Sequence, residues 1–207
     1  QEARQARAGC GGEDRYEKGS GEEGGREARA QEGVVTGLFI TLEGGDGSGK
    51  STQMGALTEW LQSRGRTVLQ AREPGGTDLG RELREIVLHR RGHIAPRAET
   101  LLYAADRAHH IATLVRPALE RGEVVIQDRY LDSSVAYQGA GRVLDPDEVR
   151  DLSLWATEGL LPHLTVLLDL DPAVGRERLD VSRTRYDRLE AEEADFHERV
   201  RAAYLVL

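Results

Sequence analysis

The sequence predicts an α/β fold in three layers, a parallel sheet flanked by helices, and three observations carry it. From Gly37 onward short apolar runs alternate with helical patterns, and strands that alternate with helices form parallel sheets because each crossover helix covers a sheet face. One junction between an apolar run and an amphipathic stretch is the glycine-rich segment 44–51. The 207 residues, 39% of them apolar, suffice for one core of domain size and leave no comfortable room for a second.

In chain order, residues 1–35 alternate Gly, Glu, Arg and Ala with almost nothing to bury, and read as a disordered tail. The interspersed acids argue against a transit peptide. The chain begins with Gln1 and its only methionine is Met54, which predicts a partial or conceptually translated product. Residues 36–207 form the domain. Residues 38–42 read as a strand. After Lys50, the residues Met54, Leu57 and Leu61 share one helix face, and Gly65 is a plausible stop. Residues 67–71, 124–128 and 164–170 read as buried strands. Leu79, Leu83, Ile86 and Val87 suit one helix face, and Leu101, Leu102 and Ala105 another. Asp145, Pro146 and Glu148 read as N-cap, first turn and capping-box acid, and Asp171 with Pro172 repeats the first half of that signal.

A formal net charge of −8 and a pI near 5.3 disfavour a nucleic-acid footprint, since phosphate backbones attract basic stripes. A single cysteine, Cys10, excludes an intrachain disulfide and fits a reducing compartment. No apolar run approaches the roughly 18 residues of a membrane helix, so a soluble, cytoplasmic protein is expected. The six histidines show no metal-ligand spacing.

The chemistry begins at the glycine-rich segment. Gly44, Gly45, Asp46, Gly47, Ser48, Gly49, Lys50 and Ser51 satisfy G-x-x-x-x-G-K-[ST], the phosphate-binding loop, in its required context of strand and helix. Glycines let backbone N–H groups turn inward around a phosphate, and the helix N-terminus adds partial positive charge. Lys50 would reach the β- and γ-phosphates of ATP, Ser51 would ligate magnesium, and Thr52 continues the nucleotide-binding run. The fold is therefore expected to be of the P-loop NTPase type. A second acid is needed for the metal, and Asp128, ending the apolar run 124–128, is the candidate. A guanine-nucleotide switch would use an N-K-x-D element, and the chain contains no asparagine.

Three further segments, Arg72-Glu73-Pro74-Gly75-Gly76-Thr77, Ala104-Ala105-Asp106-Arg107, and Asp128-Arg129-Tyr130 with Ser133, Ser134, Tyr137 and Gln138, follow the P-loop in an order and spacing that closely resemble the thymidylate kinase family. The resemblance spans residues 37–204. It implies that Tyr103 stacks on thymine, that Arg107 hydrogen-bonds the base with Gln138 and Ser134 beside it, and that Tyr137 crowds the sugar 2′ position. It implies that Arg84 and Arg129 bind the acceptor phosphate in a pocket shaped by Glu73 and Pro74. It also implies catalytic roles for Lys50, Asp46 and Arg129, a mobile lid at residues 176–188, and a homodimer. Some relatives carry a catalytic arginine in the P-loop where this chain has Gly47, so the transition-state arginine is expected from the lid, among Arg178, Arg183, Arg185 and Arg188, with Arg188 and Arg183 as the nominated pair. Family members usually continue into another strand and helix, so the last strand and helix are expected to be missing here.

The implied reaction is transfer of the γ-phosphoryl group of ATP to dTMP, giving dTDP and ADP for dTTP synthesis. Two alternatives stay open on the residues: a kinase for another nucleoside monophosphate or small metabolite, and a nucleotide-binding protein without turnover.

Overall fold

The computed structural model describes residues 37–182 and 185–207; the tail read at 1–35, with Cys10, and Arg183 lie outside the described residues. Four parallel strands, β1 (Leu38–Glu43), β2 (Val68–Arg72), β3 (Val124–Asp128) and β4 (Leu164–Leu167), lie in the order β2-β3-β1-β4. The most apolar runs, β1 and β3, take the centre, as expected of strands covered on both faces. Side chains alternate across the sheet with period two. Phe39 and Val125 pack with Ile111, Val115, Leu119 and Tyr130 on one face, while Ile40, Leu42, Val124 and Ile126 pack with Met54, Leu57 and Leu61 on the other. Full burial of each such side chain is worth about 1.5–3 kcal/mol.

The helices are α1 (Lys50–Ser63), α2 (Asp78–Arg84), α3 (Pro96–His110), α4 (Arg116–Glu120), α5 (Leu131–Ser134), α6 (Pro146–Ala156), α7 (Pro172–Ser182) and α8 (Ala194–Tyr204). Three π-type stretches extend them: Glu85–His89 after α2, Ile111–Val115 joining α3 to α4, and Val135–Gly141 after α5. The helix signals hold at α1, which ends where Gly65 turns with φ 76°, and at α6, where Asp145 accepts a hydrogen bond from the Asp147 amide. Asp171 caps α7 the same way through Ala173. Glu148 departs from the capping box, because its carboxylate reaches Arg97 on α3 instead.

Other expectations are corrected. The strand read at 164–170 is only Leu164–Leu167 and is not buried: it pairs with β1 alone and leaves Leu164 and Leu167 exposed. β2, the opposite edge, is only partly buried. After α2 the wider π-type turn rotates the chain, so Val87 and Leu88 go inside while Leu79 and Ile86 stay exposed. In α3 the order is inverted: Leu101 and Ala105 face outward, and the buried side carries Glu99, Tyr103, Ala104, Asp106, Arg107 and His110. From that side Tyr103 and Arg107 reach the cavity that Asp128 and Arg129, at the end of β3, also line. A third apolar cluster, from Val87 and Leu88 through Ala136 and Tyr137 to Phe196, Val200 and Tyr204, supports it from below.

Candidate active site

At the end of β1 the chain turns through three glycines with positive φ, Gly44, Gly47 and Gly49 (132°, 75° and 95°), into the first turn of α1. A side chain is strained in this backbone, which is why the loop is built of glycine. No side chain caps α1, so the helix N-terminus is open to a phosphate. Lys50 folds back across the loop, donating to the carbonyls of Gly44 (3.0 Å) and Gly45 (2.7 Å) and, at 3.4 Å, to Ser48. Burial and the neighbouring Arg129 charge depress its ammonium to about 8, although Asp46 and Asp128 pull the other way.

Arg129 follows directly on β3, at φ 69°. Its Nη2 donates to Asp46 Oδ1 (2.5 Å) and the Tyr137 hydroxyl (3.1 Å). Its Nη1 lies within hydrogen-bond distance of Gly44 O, Ser133 Oγ and the Tyr204 hydroxyl. The Tyr137 hydroxyl in turn donates to Asp46 Oδ2 at 2.8 Å. Burial opposes both charges. The charges of Arg129 and Lys50 nevertheless hold the Asp46 carboxyl below its usual range, and Tyr137 and Asp46 keep the Arg129 guanidinium above its own.

Glu43, the last residue of β1, anchors the same corner. Its carboxylate accepts from the Tyr130 amide (2.7 Å), Ser133 Oγ (2.6 Å) and the Tyr204 hydroxyl (3.1 Å). Burial pushes its pKa up against the Ser133 hydrogen bond. Sequence reasoning missed Glu43 and Tyr204. The available signal for Glu43 was an acid at a strand end, the same signal that singled out Asp128.

A cavity of about 780 Å³ runs from the P-loop to Gln138. Its nucleotide end is walled by Asp46, Gly47, Gly49, Lys50, Ser51 and Thr52, and Asp128 stands beside them. Asp128 Oδ1 is buried without a hydrogen-bond partner among the described residues, the state of a carboxylate oxygen available to a cation. Gly44, Gly45 and Ser48 belong to the loop but not to the wall. The other end is walled by Glu73, Pro74, Arg84, Tyr103, Arg107, Arg129, Ser134, Tyr137 and Gln138, so all nine residues proposed for the acceptor meet in one place. Arg84 donates to Pro74 O at 2.9 Å, and burial with the like charge of Arg72 lowers its pKa, so an anion there would be favourable.

Tyr103 and Arg107 are both buried rather than an ordinary surface pair. Arg107 is heavily engaged: Nε pairs with Glu73 (2.8 Å), Nη1 donates to Ser153, and Nη2 donates to Tyr130 O and Ser134 Oγ. One N–H, on Nη1, is left without an acceptor among the described residues. Gln138 is held by the buried Glu99, which sequence reasoning also missed, although Glu99, Tyr103 and Arg107 are spaced four apart on α3.

The lid arginines separate. Arg178 lies on the cavity wall and donates to Gly47 O at 3.1 Å. Arg188 is off the wall, bonded to Val87 O and paired with Glu99 at 2.6 Å. Arg185 is exposed.

A P-loop that faces an arginine-lined anion site across one cavity is built to pass a phosphoryl group between two bound molecules, which is the class of the P-loop kinases. The thymidylate kinase family model matches residues 42–207. The chain is 76% identical over 173 residues to a thymidylate kinase of Clavibacter sepedonicus, covering 84% of this chain and 82% of that one. It is 77% identical over 171 residues to one of Leifsonia xyli, covering 83% and 81%. The crystal structure of thymidylate kinase from Ehrlichia chaffeensis superposes with a TM-score of 0.68 at 31% identity, over 82% of this chain and 85% of that one. The chain belongs to the thymidylate kinase family.

The Lys50 ammonium yields a pH prediction. A bound polyphosphate favours its charged form, so ADP binding above pH 8 must take up a proton, and the Kd for ADP should rise about eightfold between pH 7.5 and pH 9. Calorimetry at the two pH values, in buffers of differing ionisation enthalpy, reads both the affinity and the proton. A Kd that stays flat across this interval contradicts the assignment.

Proposed function

We propose that this chain transfers the γ-phosphoryl group of ATP to dTMP, giving ADP and dTDP, with the residue roles that follow. The observation that carries it is the single cavity in which Lys50 of the P-loop and the Tyr103–Gln138 pocket share a wall with Arg129 between them. An oxygen of the dTMP phosphate attacks the γ-phosphorus in line. The new P–O bond forms as the bond to the β,γ-bridging oxygen breaks, and ADP leaves with the electron pair. The attacking oxygen is already anionic near neutral pH, so no strong general base is needed, and the protein acts by positioning and by offsetting charge.

Arg84 and Arg129 hold the acceptor phosphate, and Glu73 and Pro74 shape that pocket. Tyr103 stacks on the base, Arg107, Gln138 and Ser134 bond its edge, and Tyr137 crowds the 2′ position. Asp46 fixes Arg129 through the 2.5 Å pair. Lys50 offsets charge on the β- and γ-phosphates. Magnesium, when bound, neutralises and orients those phosphates; Ser51 and Asp128 would hold it, and the unpartnered buried Oδ1 of Asp128 fits that role. Of the lid arginines, Arg178 acts in this reading, supported by its position on the cavity wall, which no other described candidate shares; Arg188 is occupied by Glu99.

The protein works as a cytoplasmic homodimer in this reading. Among the described residues no helix is long and apolar enough to cross a membrane. Exposed Leu79, Leu101 and Trp155, on the packed helices α2, α3 and α6, offer a dimer face.

Three measurements test these points. Product-resolved assays of Mg-dependent ADP release across a panel of nucleoside monophosphates should give the highest kcat/KM with dTMP; preference for another acceptor rejects the substrate, and nucleotide binding without turnover rejects the activity. Arg178→Ala should lower kcat about 10²- to 10³-fold with little change in KM for dTMP, and an unchanged kcat removes Arg178 from the mechanism. Sedimentation equilibrium should show a dimer that Leu101→Glu shifts to monomer, whereas a monomeric parent chain refutes the dimer.

A further inference from the structure

We propose that Glu99 is a positioning residue that fixes the hydrogen-bond polarity of Gln138 and so selects a pyrimidine with a ring N–H, thymine or uracil, over cytosine. The inference rests on the reading of this cavity as the nucleoside monophosphate site, and it names the discriminating group.

Glu99 sits in the first turn of α3, four residues before Tyr103 and eight before Arg107, on the helix side that faces the cavity. It is fully buried yet is not part of the cavity wall. Its Oε1 accepts from Gln138 Nε2 at 3.0 Å and from Arg142 Nε at 3.3 Å, and its Oε2 is paired with Arg188 Nη2 at 2.6 Å. The two guanidiniums are themselves tied down, Arg142 by Glu192 at 2.5 Å and Arg188 by Val87 O at 2.8 Å. Neither of them lines the cavity. Gln138 does.

A carboxylate shared between two guanidiniums offers only acceptors. The Gln138 amide must therefore turn its NH₂ toward Glu99. Turning the amide over would set its carbonyl oxygen against a carboxylate oxygen in a buried site, where like polar groups repel strongly. The carbonyl occupies the other arm of the planar amide, and among the described residues the one side-chain hydrogen bond of Gln138 is made through Nε2, not Oε1. The pocket wall thus presents one acceptor whose identity is set from outside the pocket.

Neutral thymine and uracil carry a donor N–H at ring position 3. Cytosine carries a lone pair there and an amino group beside it. A fixed acceptor at that edge matches the first pair and meets the third base lone pair to lone pair. One well-placed polar match of this kind is worth about tenfold or more in discrimination.

The test compares kcat/KM for dTMP, dUMP and dCMP in the parent chain, Glu99→Gln, Gln138→Leu and the double variant. Glu99→Gln keeps the shape of the side chain but can donate as well as accept, which frees the Gln138 amide to turn over. Its dTMP:dCMP ratio should fall about tenfold or more, through KM for dTMP rather than kcat, while the dTMP:dUMP ratio stays constant. In the Gln138→Leu background the same substitution should move the ratio no further. A purely structural Glu99 would depress all three substrates in proportion, and that result overturns the proposal. Should Glu99→Gln fail to fold, Gln138→Leu carries the test alone, and an unchanged dTMP:dCMP ratio there also overturns it. A parent chain inactive on dTMP would instead refute the reading of the cavity on which the proposal rests.

Discussion

The site depends on one ion pair on the cavity wall, Arg129 with Asp46, because it ties four segments of the chain to a single guanidinium. Through Gly44 O and Asp46 the guanidinium grips the P-loop, through Ser133 the start of α5, through Tyr137 the π-type stretch, and through Tyr204 the last helix. Glu43 mirrors it from below, gathering Tyr130, Ser133 and Tyr204. Withdrawing ions even partly from water is costly, and the arrangement is tolerable because the Arg129 and Asp46 side chains find several hydrogen-bond partners here. The left-handed backbone at Arg129 is a further cost of about 1–3 kcal/mol. It persists because five partners over-determine where the side chain must go. Lysine could not replace it, having no planar fork to reach the carboxylate and the carbonyl together.

This network also explains which parts of the fold and site are legible in the sequence. The strands β1 and β3, the P-loop and the caps at Asp145 and Asp171 are legible because their signals are local: a short apolar run, a glycine spacing, a capping side chain; the acceptor residues carry no such signal and come from the family resemblance alone. Helix α3 is misread because periodicity assumes that the buried face is the apolar one. Here Glu99 and Arg107 are buried because partners from distant segments engage them, Arg107 through Glu73, Ser134 and Ser153 and Glu99 through Gln138, Arg142 and Arg188. No window along the chain contains those partners. The same reason hides Glu43, whose hydrogen-bonding residues lie between 87 and 161 positions away. The π-type turn at Glu85–His89 defeats the pattern differently, by changing the helical period within the window being counted.

The relation between the P-loop and helix α7 draws these strands together. A Cβ placed on Gly47 would lie 2.5 Å from Gly175 O and 2.9 Å from its Cα, so the bare glycine and the close seating of α7 on the loop are one constraint. A loop with a side chain at that position would hold α7 away, and with it Arg178, whose guanidinium reaches Gly47 O only because the two backbones meet. The proposed role of Arg178 therefore rests on the same backbone contact that leaves no room for a side chain at Gly47. Arg188, ten residues further on, is bound to Glu99 and Val87 instead. The proposed division of labour rests on packing: the arginine near the glycine contact would face the phosphates, and the arginine beyond it would support the wall on the acceptor side.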